Sequence, residues 1–310
     1  GATSGDTGSA GIEACRDRDA IDIFMLYPHE RVSEVQRRQM TTVDATNVHT
    51  LAIEGTFDDC QDLVKAMFND MAFRDEMRLS AVNSINWARI MAQTVYYFHA
   101  GLALGAPDVP VRFSVPSGNF GNIFAAYAAR EMGLPVDQLI IGTNVNDILT
   151  RFFDSGDLTT ATVQATISPS MDIQISSNFE RLLFDLYDRD GAALTEAMTK
   201  FRADGRLSVG DNRWKQVCAL FDARRIDDDR TRAEIERVNK ETGVLIDPHS
   251  AIGIAAARDA RRDASLPTIT LGAAHPAKFP AAVEAACGAF APLPPRMEDL
   301  YDRAEHYTVV

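Results

Sequence analysis

Residues 111–129 constrain the fold more than any other part of this sequence. They form an apolar run, a turn with two glycines at residues 116–122, and a second apolar run with helical spacing. This order predicts a strand, a tight turn and a helix whose N-terminus faces the turn. Glycine allows close approach of a ligand to the backbone, and the N–H groups at a helix N-terminus favour an anion. The segment therefore predicts a phosphate-binding loop, with a spacing unlike the dinucleotide or nucleoside-triphosphate motifs.

Apolar strands and amphipathic helices alternate along the rest of the chain, and a second glycine-bearing loop occupies residues 1–10. Alternation of this kind predicts an α/β fold with open twisted parallel sheets and helices on both faces. Both loops should then lie at the carboxyl ends of strands, where such sheets bind ligands. The predicted strands are 21–27, 48–53, 139–142 and 268–271; the predicted helices are 32–40, 57–67, 84–104, 147–153 and 281–286, with 176–240 mainly helical.

Composition narrows the possible partners. The net charge of −13 argues against nucleic acid, which requires clustered basic residues. The four cysteines are far apart, so neither a metal site nor a disulfide framework is predicted. An apolar run long enough for a membrane span is absent from the sequence. These features predict a cytoplasmic protein with reduced thiols that binds neither nucleic acid nor a membrane.

Six motifs in a fixed order carry a resemblance to a known family. They occupy residues 2–8, 82–90, 118–122, 168–173, 247–253 and 274–279. Together they resemble the threonine synthase family, within the fold type II pyridoxal-phosphate enzymes of the tryptophan-synthase-β type. The resemblance implies two domains: residues 1–80 as the remainder of a smaller cofactor-side α/β domain, and residues 81–310 as a larger α/β domain with the phosphate loop.

The same resemblance implies an activity. Members of this family are lyases of threonine biosynthesis that use pyridoxal 5′-phosphate as an electron sink. They convert O-phospho-L-homoserine and water to L-threonine and phosphate. The implied partner is therefore a small-molecule substrate, and the implied assembly is a monomer or a homodimer.

The resemblance also assigns roles to residues. The cofactor phosphate is implied to bind Gly118, Asn119, Phe120, Gly121 and Asn122, with a further hydroxyl from Ser117. The substrate carboxylate is implied to bind Thr3, Ser4, Gly5, Asp6 and Thr7, with Asp6 or its backbone near the phenolic oxygen of the cofactor. The substrate phosphate is implied to meet Ser84, Asn86 and Arg89, since arginine binds phosphate with a bidentate fork.

Two departures from the family pattern affect these expectations. The family's Schiff-base lysine lies upstream of the first glycine loop, whereas this sequence starts at that loop. The expectation is a chain that lacks its N-terminal part, contains no catalytic lysine and is inactive alone. The second departure is Ala273, where the family has a threonine whose hydroxyl lies beside the pyridine nitrogen.

Several alternatives remain open from the sequence. Lys278 could form a substitute Schiff base, although a structural role is favoured because the family keeps this residue in addition to its catalytic lysine. His249 and His275 are predicted to orient local backbone rather than to transfer protons. At the level of the whole chain, a non-catalytic cofactor- or phosphate-binding remnant and a related threonine or serine dehydratase are the alternatives.

Overall fold

The structure is a computed structural model that describes residues 1–3, 5–83 and 85–310. The helices are α1 Asp6–Cys15, α2 Glu34–Thr41, α3 Phe57–Asn69, α4 Met71–Glu76, α5 Trp87–Ala103, α6 Gly121–Glu131, α7 Ile148–Ser155, α8 Phe179–Leu186, α9 Gly191–Asp204, α10 Asp211–Cys218, α11 Asp228–Thr242, α12 Pro248–Ala260 and α13 Pro280–Cys287. The strands are β1 Ile23–Pro28, β2 Val48–Ile53, β3 Val111–Pro116, β4 Val136–Thr143, β5 Asp157–Thr159, β6 Arg206–Ser208, β7 Phe221–Arg225, β8 Thr268–Thr270 and β9 Thr308–Val309.

The chain divides into two compact units. Unit 1 contains Gly1–Asn86 and Pro292–Val310, and unit 2 contains Trp87–Ala291. The sequence prediction placed the boundary at 80/81 and assigned the C-terminus to the larger domain, so the C-terminal assignment differs. The physical reason is that β9 adds to the sheet of unit 1 as a parallel neighbour of β2, with Leu51 opposite Thr308.

Unit 1 is built on the parallel sheet β1-β2-β9. Its core contains buried side chains of α1, β1, α2 and β2, including Ile12, Met25, Tyr27 and Met40. Ala2 forms a parallel bridge with Leu26 of β1. The first glycine loop therefore follows an extended segment and leads into α1, as a loop at the carboxyl end of a parallel strand does.

Unit 2 is built on the parallel sheet β7-β4-β3-β8. Strand β4 is covered on both faces: Leu139 and Ile141 pack in the core shared with α6 and α7, while Ile140 packs with α12. An apolar run buried on both faces is typical of parallel sheets between helix layers. The predicted α/β class with helices on both faces is confirmed in this unit.

Residues 176–240 are mainly helical, as predicted, but they also contain the strands β6 and β7, which the sequence did not predict. Phe221 and Ala223 of β7 are buried, whereas the intervening Asp222 is only partly covered. Strand β7 lies at the sheet edge, where charged side chains are tolerated, and its five residues carry too weak an apolar signal to indicate a strand.

No helix in the described parts of the chain is both long and apolar enough to cross a membrane.

Candidate functional site

The loop between β3 and α6 has the predicted strand–turn–helix form. Ser117 closes the turn: its N–H donates to the Gly142 carbonyl at 2.9 Å, and its Oγ accepts from the Phe120 N–H at 3.1 Å. Phe120 adopts a left-handed conformation with φ of 63°. Such a conformation is strained for a bulky residue, and the buried ring, 4.9 Å from that of Phe179, holds it in place. The turn directs the chain into α6 so that the positive end of the helix faces the loop.

Gly118 permits a close approach that a larger residue would block. A Cβ at this position would lie 3.0 Å from the Met171 Cα and 3.3 Å from the Ile173 side chain. The segment of residues 168–173 therefore packs directly against the phosphate loop. This contact gives a place in the fold to a motif for which the sequence suggested no role.

Asp172 anchors that segment through several hydrogen bonds. Its Oδ1 accepts from Asn144 Nδ2 at 2.8 Å, Asn146 Nδ2 at 3.0 Å and Thr166 Oγ1 at 2.7 Å. Its Oδ2 accepts from the Thr166 N–H at 2.9 Å. Since Asn144 directly follows β4, the network fixes the segment to the carboxyl end of the sheet.

A second buried cluster lies at the N-terminus of α12. The Asp247 carboxylate accepts from His249 Nδ1 at 2.9 Å, from Ser250 Oγ and from the Ala274 N–H at 3.2 Å. Burial acts to raise the pKa of Asp247, but the hydrogen bonds from His249, Ser250 and Ala274 outweigh it and hold this pKa below its ordinary value. The carboxylate is therefore the form that this cluster stabilises.

His249 connects this cluster to the segment packed against Gly118. Its Nε2 accepts from the Ser170 N–H at 3.3 Å, so Nδ1 carries the ring proton and donates to Asp247. His275 plays a similar local part, because its Nδ1 accepts from the Ala277 N–H at 3.2 Å. Both side chains thus accept from backbone N–H groups, that of His249 from a residue distant in the sequence, and the absence of a role in proton transfer stays a prediction.

Ala273 lies beside the same cluster and is exposed. Its N–H donates to Ser250 Oγ at 2.9 Å. Ser250 donates its own proton to Asp247, so the hydroxyl is already committed as donor and acceptor within the protein. The backbone at Ala273 is thus fixed, while its methyl group offers no hydrogen bond.

Two asparagines tie the phosphate loop to its surroundings. Asn119 accepts from the Asn178 N–H through its carbonyl at 3.2 Å and from the Ser177 N–H through its Oδ1 at 3.0 Å. Asn122 accepts at both its carbonyl and its Oδ1 from the Tyr97 hydroxyl, at 2.8 and 2.7 Å. Burial raises the pKa of Tyr97 well above its usual range, so the hydroxyl keeps its proton and donates.

The glycine loop of unit 1 is held by its own side chains. Thr3 is buried, and its Oγ1 accepts from the N–H groups of Gly5 and Gly8, both at 2.9 Å. Asp6 opens α1 and accepts at Oδ1 from Gln36 Nε2 at 3.2 Å. Gly5 has φ of 134°, and a Cβ there would lie 2.6 Å from the Gln36 side chain. Thr7 lies in the first turn of α1, and Ser4 lies outside the described residues.

The segment predicted to meet the substrate phosphate is only partly helical. The sequence predicted a helix from residue 84, but α5 begins at Trp87. The Asn83 side chain accepts from the Ile85 N–H at 3.0 Å, a local turn that competes with helix. Of the predicted set, Arg89 lies in the first turn of α5, Asn86 is exposed at the end of unit 1, and Ser84 lies outside the described residues.

Lys278 ends a short 3-10 turn at Pro276–Lys278. Its N–H donates to the His275 carbonyl at 3.0 Å. The turn is fixed by this bond and by the His275 side chain. This local order agrees with the structural role that the sequence favoured for Lys278, and the Schiff-base alternative stays untested.

Comparison with known proteins shows the family. A model described as pyridoxal-phosphate dependent enzyme matches residues 1–269, and one described as threonine synthase, C-terminal, matches residues 250–310. The chain belongs to the family of pyridoxal-phosphate dependent enzymes. It is 58% identical to threonine synthase from Pseudomonas aeruginosa over all of this chain and 66% of that protein, and 43% identical to the Saccharomyces cerevisiae enzyme over 94% of this chain and 60% of that protein.

Solved structures agree with this assignment. Pyridoxal-phosphate-bound threonine synthase from Brucella melitensis is 55% identical, with a TM-score of 0.95 over 99% of this chain and 66% of that chain. Maize serine racemase, at 16% identity and a TM-score of 0.57 over 86% of this chain and 69% of that one, shares the fold. The chain thus spans 66% or less of the length of these threonine synthases.

The residues around the phosphate loop fit the family's cofactor. The turn is closed by the bond from the Phe120 N–H to Ser117 Oγ, and the N-terminus of α6 supplies the positive potential that a phosphate requires. Ser176 Oγ, two residues before Asn178, is buried without a hydrogen-bond partner among the described residues. A buried hydroxyl of this kind can take a ligand or water as its partner.

Sequence reasoning missed part of the site. The sequence predicted the helix that carries Tyr97 but no role for its hydroxyl, and it suggested no role for Asp172. The only sequence signal for Asp172 was its place in a family motif, because hydrogen bonds between distant segments leave no spacing pattern. The hydroxyl role of Tyr97 could not be distinguished from the packing role of its ring.

Proposed function

We propose that this chain is the part of a threonine synthase that contains the phosphate loop. A threonine synthase converts O-phospho-L-homoserine and water to L-threonine and phosphate. The observation that supports it most is the loop at residues 117–122, which is closed by Ser117 and faces the N-terminus of an eleven-residue helix. The similarity to enzymes named threonine synthase supports the choice of reaction within the family.

Within this proposal the protein residues bind and orient. Residues 117–122 hold the cofactor phosphate, and the Asp172 and His249 networks keep residues 168–173 packed against Gly118. The loop of residues 3–7 binds the substrate carboxylate, and Asn86 and Arg89, with Ser84, bind its phosphate. Pyridoxal phosphate, when bound, supplies the electron sink that the reaction requires. Cytoplasmic location and a monomeric or homodimeric state are part of the same proposal.

A remnant that binds the cofactor without catalysis is the first alternative. Titration of the chain with pyridoxal phosphate, followed by borohydride reduction and peptide mapping, tests how the cofactor is held. We expect saturable binding without a stoichiometric lysine adduct. A single adduct at Lys278 would instead place the Schiff base on that residue and contradict the assignment of a structural role.

The reaction itself is tested by joining the chain to the part of the Pseudomonas aeruginosa enzyme that precedes the first glycine loop. We expect phosphate release from O-phospho-L-homoserine and little ammonia release from L-threonine. Ammonia release without phosphate release would favour the dehydratase. Cofactor binding with neither product would favour the remnant.

A further inference from the structure

Helix α2 packs directly against the first glycine loop. A Cβ at Gly5 would lie 2.6 Å from Gln36 Cδ and 2.7 Å from Gln36 Nε2, and a Cβ at Gly8 would lie 2.7 Å from Met40 Sδ. Gln36 and Met40 are four residues apart in α2, so they lie on the same face of this helix. The two glycines therefore allow the loop to approach that face closely.

The side-chain amide of Gln36 is held in one orientation. Its Oε1 accepts from the Ser33 N–H at 3.3 Å, and the Gln36 N–H donates to Ser33 Oγ at 3.3 Å, which together form a capping box at the start of α2. Since Oε1 bonds Ser33, Nε2 is left to donate to Asp6 Oδ1, at 3.2 Å. Gln36 is buried, so a bond that it loses is not readily replaced by one to water.

Glutamine fits this position better than glutamate, although either residue can complete a capping box. A glutamate would accept from the Ser33 N–H equally well. It would have no N–H to donate to Asp6, and it would place a second carboxylate where Gln36 Nε2 now lies 3.2 Å from the first. Like charges at such a distance repel each other. The amide of Gln36 is therefore matched to Asp6 and not only to the start of α2.

Asp6 connects Gln36 to the rest of the loop. It is the first residue of α1, and it lies between Gly5 and Gly8, whose N–H groups both donate to Thr3 Oγ1 at 2.9 Å. A displacement of Asp6 would therefore change both of these hydrogen bonds.

We propose that Gln36 is a positioning residue for the first glycine loop. Its amide holds Asp6, so that Thr3, Gly5 and Asp6 keep the arrangement in which the loop binds the substrate carboxylate. The inference rests on the proposed function, which assigns the substrate carboxylate to this loop. Gln36 acts through Asp6 and takes no part in the chemical steps.

The test uses Gln36→Glu, which keeps the shape of the side chain and its acceptor for Ser33 but repels Asp6. Asp6→Asn provides the rescue, because an asparagine amide can accept from glutamine and can also donate to glutamate. Hydrogen exchange of the Gly5 and Gly8 N–H groups, measured by nuclear magnetic resonance on this chain, reports on the loop directly. We expect Gln36→Glu to lower their protection about 10-fold or more, which corresponds to the loss of one charge-assisted hydrogen bond. Asp6→Asn alone should leave the protection unchanged, and the double variant should regain it.

Gln39→Glu is the matched control. Gln39 also lies in α2, but its Nε2 donates to Met297 Sδ at 3.4 Å. The control introduces the same charge into the same helix without removing a bond to the loop, so the protection of Gly5 and Gly8 should not change. Thermal unfolding establishes that each variant folds. If Gln36→Glu does not fold, Gln36→Met, which adds no charge, takes its place and should also lower the protection.

The effect on the substrate is measured in the protein joined to the N-terminal part of the Pseudomonas aeruginosa enzyme. A loop that binds the substrate carboxylate equally in the ground state and the transition state affects KM and not kcat. We therefore expect Gln36→Glu to raise the KM for O-phospho-L-homoserine while kcat is unchanged. An unchanged KM would contradict the role of Gln36 in substrate binding.

Three results would overturn the inference: unchanged protection in Gln36→Glu, no recovery when Asp6→Asn is added to it, or an equal loss in Gln39→Glu. The proposed function fails separately. If the joined protein releases no phosphate from O-phospho-L-homoserine, but Gln36→Glu still lowers the protection and Asp6→Asn restores it, then Gln36 positions the loop and the assigned reaction is wrong.

Discussion

At the scale of single residues, the addition of one methyl group at Gly118 should have a large effect on the phosphate loop. In Gly118→Ala the new Cβ meets the Met171 backbone at 3.0 Å, so the loop or residues 168–173 must shift. We expect a loss of about 1–3 kcal/mol in the free energy of unfolding and weaker pyridoxal phosphate binding. Urea denaturation and a binding titration measure these effects.

Gly191 provides the control for that substitution. It opens α9, and a Cβ there would have no neighbour within 4 Å. Gly191→Ala should therefore leave cofactor affinity unchanged. Equal affinities for Gly118→Ala and the unaltered chain would show that the tight packing at Gly118 is not needed for binding.

A substitution at Ala273 is expected to strengthen cofactor binding rather than to weaken it. Since Ala273 is exposed and its backbone is fixed by Ser250, Ala273→Thr adds a hydroxyl without a steric conflict inside the chain. If this position lies beside the pyridine nitrogen, as the family resemblance predicts, one added hydrogen bond of about 0.5–1.5 kcal/mol should tighten pyridoxal phosphate binding roughly 2- to 10-fold. A titration measures it, with Ala281→Thr as the same change at an exposed position of α13. An unchanged affinity would contradict the predicted place of Ala273.

The strand–turn–helix form around residues 117–122 was predictable because glycine and a following helix leave a local signature. Tyr97 illustrates the limit of that reasoning. Its spacing on an apolar helix indicated burial, which is correct, but the bond from its hydroxyl to Asn122 depends on how α5 packs against α6. Contacts between elements are set by tertiary structure, and a single sequence does not encode them as a pattern.

At the scale of elements, the segment of residues 168–173 depends on one carboxylate. In Asp172→Asn an amide N–H₂ replaces an oxygen that accepts from Asn144, Asn146 or Thr166, so donors face donors. We expect a cost of about 2–3 kcal/mol in the free energy of unfolding. Asp229→Asn, at an almost fully exposed carboxylate, should cost less than about 0.5 kcal/mol. Similar costs for the two variants in urea denaturation would argue against the anchoring role.

The N-terminus of α12 should make stability depend on acid pH. Folding lowers the pKa of Asp247 below its ordinary 3.8, because bonds from His249, Ser250 and Ala274 outweigh the opposing effect of burial. A lowered carboxyl pKa contributes stability that is present above the unfolded value and is lost as the pH falls through the folded value. We expect the unaltered chain to lose stability below pH 3.8 more steeply than Asp247→Asn does. Urea denaturation at a series of pH values measures both slopes, and parallel slopes would contradict the expectation.

The elements themselves were largely predictable where the apolar period was strong. The predicted strand at 48–53 agrees with β2, and the predicted helix at 57–67 lies within α3. Strand β7 was missed because Asp222, Arg224 and Arg225 make a short edge strand resemble the charged face of a neighbouring helix. Strand β7 and the charged face of a helix have a similar local composition, and only the pairing of β7 with β4 identifies it as a strand.

At the scale of the whole molecule, we expect a substitution in one unit to destabilise that unit without destabilising the other. Glu305 stabilises unit 1 by accepting from Arg37 at 2.8 and 3.0 Å and from Thr41 at 2.7 Å. In calorimetry we expect more than one transition, since chains with more than one compact unit commonly depart from two-state unfolding. Glu305→Ala should lower one transition, and Asp172→Asn the other. A single transition lowered by both variants would show that the units unfold together.

The division into units was only partly predictable. The family resemblance implied two domains with a boundary at 80/81. It did not indicate that residues 292–310 return to unit 1. A two-residue strand and a partly buried ion pair between Arg37 and Glu305 are too short a signal, although both hold the C-terminal segment in unit 1.

That return has a consequence for synthesis on the ribosome. Strand β2 receives its neighbour β9 only after all of unit 2 has been made, which takes on the order of 10–40 s at typical rates of translation. During that interval one edge of β2 has no partner strand, and unit 2, whose residues are contiguous, can fold first. A nascent chain of this kind gains from a chaperone that covers the open edge until β9 emerges.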